Sequence, residues 1–149
     1  MSYITIIKLI KQINMQTKLM MISTSVILFI GTGFITIPGP KKPWVVPENF
    51  VKMANPVKSD VTSLKIGKEL WGKHCQSCHG KSGKGDGPKS AELKTEPGNF
   101  TLDATQKQSD GSLFYKISEG RDDMPKFTKK IPGKDDIWAI VNYIRTLKK

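Results

Sequence analysis

Both cysteines and both histidines of the chain lie within six consecutive residues, His74-Cys75-Gln76-Ser77-Cys78-His79. The spacing C-x-x-C-H is an established signature for covalent attachment of a c-type haem. Two thiols three residues apart reach the two vinyl groups on one edge of a porphyrin, and the histidine that follows offers an imidazole nitrogen to the iron. We therefore predict one haem c, bound through Cys75 and Cys78, with His79 as an iron ligand.

Other kinds of site would use the same side chains. A structural zinc ion normally needs four ligands, and here all four would come from six consecutive residues with no second pair elsewhere. A thioredoxin-like dithiol expects the motif to follow a strand in a βαβ pattern, and a simple disulfide between Cys75 and Cys78 would leave His79 without a role. Haem attachment accounts for all three residues.

The length and charge of the chain restrict its organisation and its partners. The 149 residues allow one domain and a targeting or anchoring segment, and the formal net charge is +11. Of the 24 basic residues only Arg121 and Arg145 are arginine, the preferred reader of phosphates and bases, so nucleic acid is a poor partner. A lysine-rich surface suits attraction to an acidic protein or to an anionic membrane.

Residues 1–37 have the pattern of a signal peptide or a membrane anchor. Residues 1–18 carry three lysines and no acidic residue, and residues 19–37 contain no charge. That uncharged run is long enough to cross a bilayer as one hydrophobic helix and also suits a signal-peptide core. No Ala-x-Ala-like cleavage site follows it and Pro38 comes next, which favours a retained anchor. Both interpretations place the rest of the chain outside the cytoplasm.

A proline-rich linker over residues 38–58 separates this segment from a globular domain over residues 59–149. Four prolines between Pro38 and Pro47 disfavour a helix and favour an extended spacer. In the domain, apolar spacing predicts a first helix that runs into the C-x-x-C-H motif, with Ser59, Asp60 or Ser63 as its N-cap. Gly67 inside this helix suggests a close approach by another helix.

Two further helices complete the predicted all-α domain. A short helix begins after Ser109 and stops at Gly120, and the clearest helix covers Asp135–Lys149. Glycine and proline indicate loops after the motif and through most of residues 92–108, where a bound haem would give the chain something to wrap. The last helix has one apolar stripe, formed by Ile137, Ile140, Val141, Ile144 and Leu147.

From about residue 60 to the end, the chain resembles the class I c-type cytochromes, in particular small bacterial domains with one haem. The resemblance depends on several motifs in a fixed order: Gly67-Lys68-Glu69-Leu70-Trp71, Cys75-Gln76-Ser77-Cys78-His79-Gly80, Gly83-x-Gly85-Asp86-Gly87-Pro88, Ile117-Ser118-Glu119-Gly120 leading to Met124-Pro125-x-Phe127, and Ile137 to Leu147. It implies the small cytochrome c fold, in which three main helices surround one covalent haem.

The resemblance also implies roles for particular residues. Cys75 and Cys78 match the thioether attachment points, His79 the proximal ligand and Met124 the distal ligand, while Pro88 matches a proline near the proximal histidine. It further implies that the first helix crosses the last one at Gly67 and Trp71, close to Trp138, Val141 and Tyr143. Ordinary packing between helices and contact with the haem explain Trp138 and Tyr143 equally well.

The distal ligand has alternatives within the sequence. Methionine is more often a core filler than a ligand, but Met53 and Met124 are the only methionines after residue 21, and Met124 lies among charged residues in a loop. A pair of histidine and methionine ligands is well known for haem iron. Met53 and His74 remain the other candidates.

A six-coordinate iron suits one-electron transfer and leaves no open position for a small-molecule substrate, so an enzyme is not expected. The first hypothesis is an electron carrier on the periplasmic side of a bacterial inner membrane, anchored by residues 19–37 or released after cleavage. The second is a cytochrome c subunit that feeds electrons into a membrane oxidase or reductase. The third is a catalytic or gas-sensing haem with an open distal position.

Expected partners are redox proteins with acidic docking surfaces. Lysines near the motifs would attract such partners, and the alternative is that these lysines only keep the surface solvated: Lys73, Lys81, Lys84, Lys89, Lys126, Lys129 and Lys130.

Overall fold

The computed structural model describes residues 3–29 and 43–148. The chain forms two compact units, Met1–Lys42 and Pro43–Lys149. The first contains helix α1, Tyr3–Phe29. Among the described residues, no helix combines the length and the apolar character needed to cross a membrane. The predicted anchor or signal segment extends over residues 30–37, which lie outside the described residues, so it remains a prediction. Helix α1 begins at Tyr3, well before the uncharged run that starts at residue 19.

The second unit is built from helices and loops. Its helices are α2 (Glu48–Val51), α3 (Val61–His74), α4 (Gln76–His79), α5 (Asp103–Gln106), α6 (Asp110–Glu119) and α7 (Lys134–Arg145), with a 3-10 turn at Ser90–Glu92. The described residues contain no strand, only an isolated bridge between Arg121 and Met124. This confirms the predicted all-α class for the described part of the domain.

The ends of α3 and α6 follow from local chemistry. Asp60 accepts a hydrogen bond from the Ser63 amide at 2.9 Å and its own amide donates to Ser63 Oγ at 3.1 Å, so the two residues form a reciprocal cap. Ser109 caps α6 by accepting a bond from the Ser112 amide. Gly120 ends α6 with a φ of 64°, a backbone conformation that favours glycine. The predicted caps and stop are thus confirmed.

Helix α7 ends earlier than predicted, at Arg145 instead of Lys149. The amides of Thr146 and Leu147 bond three residues back, to Tyr143 and Ile144, which tightens the last turn. Leu147 instead packs against the core. Sequence periodicity continues through Leu147, which explains why the pattern alone extends the helix too far.

The core lies between α3, α6 and α7. The apolar stripe of α7 is almost completely buried, and Trp71, Leu113, Phe114, Ile117, Phe127, Ile131 and Trp138 join it. The rings of Phe114 and Trp138 stack with centroids 4.2 Å apart. These contacts bury apolar area from elements that are distant in the sequence, which is the main favourable contribution to folding.

Helices α3 and α7 touch backbone to backbone at Gly67. A Cβ built there would lie 2.1 Å from the carbonyl oxygen of Ala139 and 2.9 Å from the Cβ of Tyr143. Only glycine allows this approach, so the close contact expected from the sequence is confirmed, with Ala139 as the nearest residue.

Residues 43–57, which we call the N-terminal strap, pack on the helices although all of them fall in the predicted linker. Asn55 Nδ2 donates to Asn142 Oδ1 at 2.8 Å, and the buried Asn142 donates to the carbonyl of Val57 at 3.1 Å. Phe50 packs against Phe114 and Tyr115, with centroids 6.5 and 4.9 Å away. The compact unit therefore begins at Pro43.

The tight crossing predicts opposite effects for two glycines of α3. In Gly67→Ala the new methyl group collides with the Ala139 carbonyl, and we expect the free energy of unfolding to fall by about 1–3 kcal/mol. In Gly72→Ala the Cβ meets only Gln76 Oε1 at 4.0 Å, so stability should stay constant or rise by up to ~1 kcal/mol through helix propensity. Denaturant unfolding measures both, and equal stabilities would contradict the crossing.

Candidate functional site

Helix α3 carries the C-x-x-C-H motif into the core. The helix ends at His74, and Cys75, 8 % exposed, joins the cluster of buried apolar side chains. Burial, together with the nearby Cys78, raises the pKa of the Cys75 thiol to about 12. Cys78 is half-buried, and both cysteines are free thiols. Two free thiols on one short turn are the groups that covalent attachment of a porphyrin requires.

The imidazole of His79 is oriented by a backbone carbonyl. Its Nδ1 lies 3.4 Å from the oxygen of Gly98, and because a carbonyl only accepts, Nδ1–H is the donor. Burial lowers the pKa of His79, an effect that the Gly98 carbonyl partly opposes. A neutral ring whose Nδ1 donates leaves the lone pair of Nε2 for a metal ion.

The glycine-rich loop after the motif binds the motif's own carbonyls. The amides of Gly85, Gly87 and Lys89 donate to the oxygens of His79, Cys78 and Ser77, at 2.9, 3.1 and 2.9 Å. A Cβ on Gly87 would lie 2.5 Å from the Ser77 oxygen. The loop thus lies directly on the attachment turn and satisfies carbonyls that a helix end leaves without partners.

Aromatic side chains enclose His79 and tie it to α3. Trp71 donates its Nε1–H to the carbonyl of Gly80 at 3.1 Å. The Trp71 and Phe100 rings lie 5.8 and 4.9 Å from the His79 ring, measured between centroids. These contacts restrict the rotation of the imidazole and exclude water from one of its sides.

Met124 lies on a tight turn after α6. The amides and carbonyls of Arg121 and Met124 bond to each other in both directions at 2.9 Å, and Asp122 between them has a φ of 52°. Asp123 Oδ2 accepts a hydrogen bond from the Thr95 amide at 2.9 Å. The half-buried Met124 packs against the same core cluster that contains Cys75. The structure therefore brings Cys75 and Met124 to one core cluster, and His79 lies beside Trp71 of that cluster.

The remaining predicted residues have different surroundings. Pro88 is exposed, and the carbonyl that faces His79 belongs to Gly98, which the sequence reasoning assigned only to a loop. Met53 is 37 % exposed and lies beside Gly111 at the start of α6. His74 packs edge-on against Phe127, and burial, followed by the charges of Lys73 and Lys130, lowers its pKa. Among the described residues, no group of three or more His, Cys, Asp or Glu side chains could hold a metal ion, the arrangement that a zinc site would need.

The donor set fits a covalently bound haem. It offers two free thiols at the required spacing, a neutral imidazole with Nδ1 already engaged, and a thioether packed on the same core. Cys75 and Cys78 would hold the porphyrin and His79 would face the iron. When bound, the haem supplies an iron that gains and loses one electron.

Comparisons with known proteins agree with this chemistry. Residues 62–144 match the family model described as cytochrome c oxidase, cbb3-type, subunit III. Among solved structures, the chain is similar to one from the reducing HAO-like protein complex of Kuenenia stuttgartiensis, with a TM-score of 0.56 and 25 % identity. The alignment covers 72 % of this chain and 51 % of that one, so it spans about half the length of that protein. No curated protein matches the chain.

The matched residues make up more than half of the chain and include the attachment motif and Met124. The described part of this unit, residues 43–148, contains helices and no strand, which agrees with the cytochrome c fold that the family has. The chain therefore belongs to the c-type cytochrome family described as cytochrome c oxidase, cbb3-type, subunit III, whose members carry a covalently bound haem c with iron.

Proposed function

We propose that the domain transfers single electrons, with His79 and Met124 as the two axial ligands and with Cys75 and Cys78 as the attachment points. The observation that carries this proposal is that the Met124 thioether packs on the core cluster to which Cys75 belongs, while the His79 imidazole is already oriented by Gly98. Two axial ligands leave no open coordination position for a substrate, which favours electron transfer over catalysis.

The residues of the chain would keep structural change during electron transfer small. The loop amides that bind the carbonyls of Ser77, Cys78 and His79 hold the attachment turn, and Trp71 and Phe100 hold the imidazole. At Met124, the paired backbone bonds with Arg121 hold the turn that carries the thioether. A thioether ligand raises the reduction potential relative to a second imidazole.

Substitution of Met124 tests the ligand assignment. In Met124→Ala we expect the methionine-to-iron charge-transfer band of the oxidised protein to disappear and the reduction potential to fall by on the order of 0.1 V, within the ~0.8 V range that axial ligands control. Met53→Ala is the matched control, because Met53 is the other methionine of the domain and lies beside α6. Absorption spectra and a redox titration of both variants provide the measurement.

Two results would contradict the assignment. One is a charge-transfer band that survives in Met124→Ala and vanishes in Met53→Ala. The other is tight binding of carbon monoxide by the reduced wild-type protein, which would indicate an open distal position and support a catalytic or gas-sensing haem.

Exposed lysines flank both halves of the candidate site, and we propose that they attract an acidic redox partner. Lys73, Lys81, Lys84 and Lys89 surround the attachment motif in the sequence, and Lys126, Lys129 and Lys130 follow the Met124 turn; all are exposed. Lys126 pairs with Glu119 at 2.9 Å, which partly offsets its charge. Complementary charge raises association rates more than it raises affinity.

The docking proposal predicts a salt-dependent rate. We expect the second-order rate of electron transfer to an acidic one-electron protein to fall about ten-fold or more between low and physiological salt. Lys84→Glu, beside the motif, should lower the low-salt rate, whereas Lys65→Glu, in the first turns of α3 and away from the motif, should change it much less. Stopped-flow kinetics measures these rates, and a rate independent of salt would contradict the docking proposal.

The alternative role, as a subunit that feeds electrons into a membrane enzyme, is favoured by a specific observation. The family description names a subunit of a cbb3-type oxidase, and the similar solved structure comes from a redox protein complex. The charge-free residues 19–37 support a position on the periplasmic face of the inner membrane, either anchored or released after cleavage.

Purification of the full chain from detergent-solubilised membranes distinguishes the two roles. A subunit should co-purify with at least one further haem protein in constant ratio, and a carrier should be recovered alone. Recovery in the soluble periplasmic fraction, with residues 1–37 removed, would contradict the retained anchor.

A further inference from the structure

The N-terminal strap, residues 43–57, precedes the residues that match the family model and runs along α6 toward that helix's N-terminus. Trp44 lies beside Lys116 and Arg121 near the C-terminal end of α6, Phe50 lies on Phe114 and Tyr115, and Met53 lies beside Gly111 at the N-terminal end. The family match begins at residue 62, so the strap lies outside the matched residues.

Trp44 contacts Arg121, the first residue of the Met124 turn. The guanidinium carbon of Arg121 lies 4.6 Å from the centroid of the Trp44 ring, and Lys116 Nζ lies 5.5 Å from it. Both distances fall within the ~6 Å range of cation–π attraction. The indole is half-buried, which reduces solvent competition for this contact.

The two cations repel each other, and the indole face offsets that repulsion. Burial, followed by the charge of Arg121, lowers the pKa of Lys116. Lys116 also donates to Gln108 Oε1. The indole ring contacts both cations, and Arg121 Nε also pairs with Asp122 Oδ2 at 3.3 Å, so the ring is one of the groups that hold Arg121 beside α6.

Arg121 is one end of the turn that carries Met124. Its amide and carbonyl make the two 2.9 Å bonds to Met124, and Asp122 between them occupies the left-handed region at a φ of 52°. A non-glycine residue in that region costs energy and persists only when its surroundings hold it. The Asp123 side of the turn is held by the Thr95 amide, and the Arg121 side is in contact with Trp44.

We propose that Trp44 is a positioning residue for Met124 and acts through Arg121, an inference that rests on the proposed ligation of iron by Met124. The indole restricts the Arg121 side chain, and the restricted arginine limits the conformations of the 121–124 turn. The thioether is then held where it outcompetes other bases for the iron.

The test is displacement of the methionine by imidazole in the full-length haem-loaded protein. In Trp44→Ala we expect the imidazole concentration that removes half of the methionine-to-iron band to fall by about two- to ten-fold, the factor that a cation–π contact corresponds to. Trp44→Phe keeps an aromatic face and should recover most of the wild-type value. Val45→Ala is the control, because Val45 is the next strap residue and is 80 % exposed.

A double-mutant cycle with Arg121 tests the route. Arg121→Gln alone should also lower the imidazole midpoint, and adding Trp44→Ala to it should have little further effect. Amide hydrogen exchange in the same samples gives a readout of the turn itself. We expect the Met124 amide, which donates to the Arg121 carbonyl, to exchange faster in Trp44→Ala and not in Val45→Ala.

Several outcomes would overturn the proposal. An unchanged midpoint in Trp44→Ala would do so, and so would a lower unfolding free energy with no change in the midpoint, which would make Trp44 only a packing residue. Additive effects in the cycle would exclude the route through Arg121. If Trp44→Ala does not retain haem, the imidazole midpoints of Trp44→Leu and Trp44→Phe are compared instead. Equal midpoints would contradict a role for the aromatic face. Failure of the ligand assignment is separate, because Met124→Ala would then leave the band in place.

Discussion

The backbone contact between α3 and α7 at Gly67 is the constraint on which the rest of the domain depends. With the Ala139 oxygen 2.1 Å from where a Cβ would stand, only glycine at position 67 permits this separation of the two helices. Helix α7 contributes the buried stripe of the core, and α3 leads directly into the attachment motif. The crossing thus fixes where Cys75 enters the core and, four residues later, where the His79 imidazole lies.

Backbone groups, more than side chains, complete the site. Three loop amides bind the carbonyls of the motif, and the Gly98 oxygen orients His79. The segment that contains Gly98 also contacts the Met124 turn, because the Thr95 amide bonds to Asp123. Residues 95–98 therefore contact both His79 and the Met124 turn, so this segment without regular secondary structure helps to position both predicted ligands. A haem bound here would be held by elements that already contact one another.

Much of this arrangement could be predicted from the sequence because it is encoded locally. The spacing of Cys75, Cys78 and His79, the Asp60 and Ser109 caps and the Gly120 stop each depend on a few neighbouring residues. The contacts of Trp44 with Arg121 and of Asn55 with Asn142 join residues more than seventy positions apart, and no periodic pattern marks them. The Gly98 carbonyl was missed for a similar reason, since every residue has a carbonyl and only the fold selects one. The prolines of residues 38–47 predict an extended spacer, but they do not show that the described residues 43–57 include the short helix α2 and pack on α6.

The most direct test of the proposed attachment is the intact mass of the purified full-length chain in denaturing acid. One haem bound through Cys75 and Cys78 predicts a polypeptide that carries the mass of one haem after unfolding, and a doubly substituted Cys75→Ser, Cys78→Ser chain that carries none. A wild-type chain with the mass of the polypeptide alone, its pigment extracted into the solvent, would contradict covalent attachment and the site built on it.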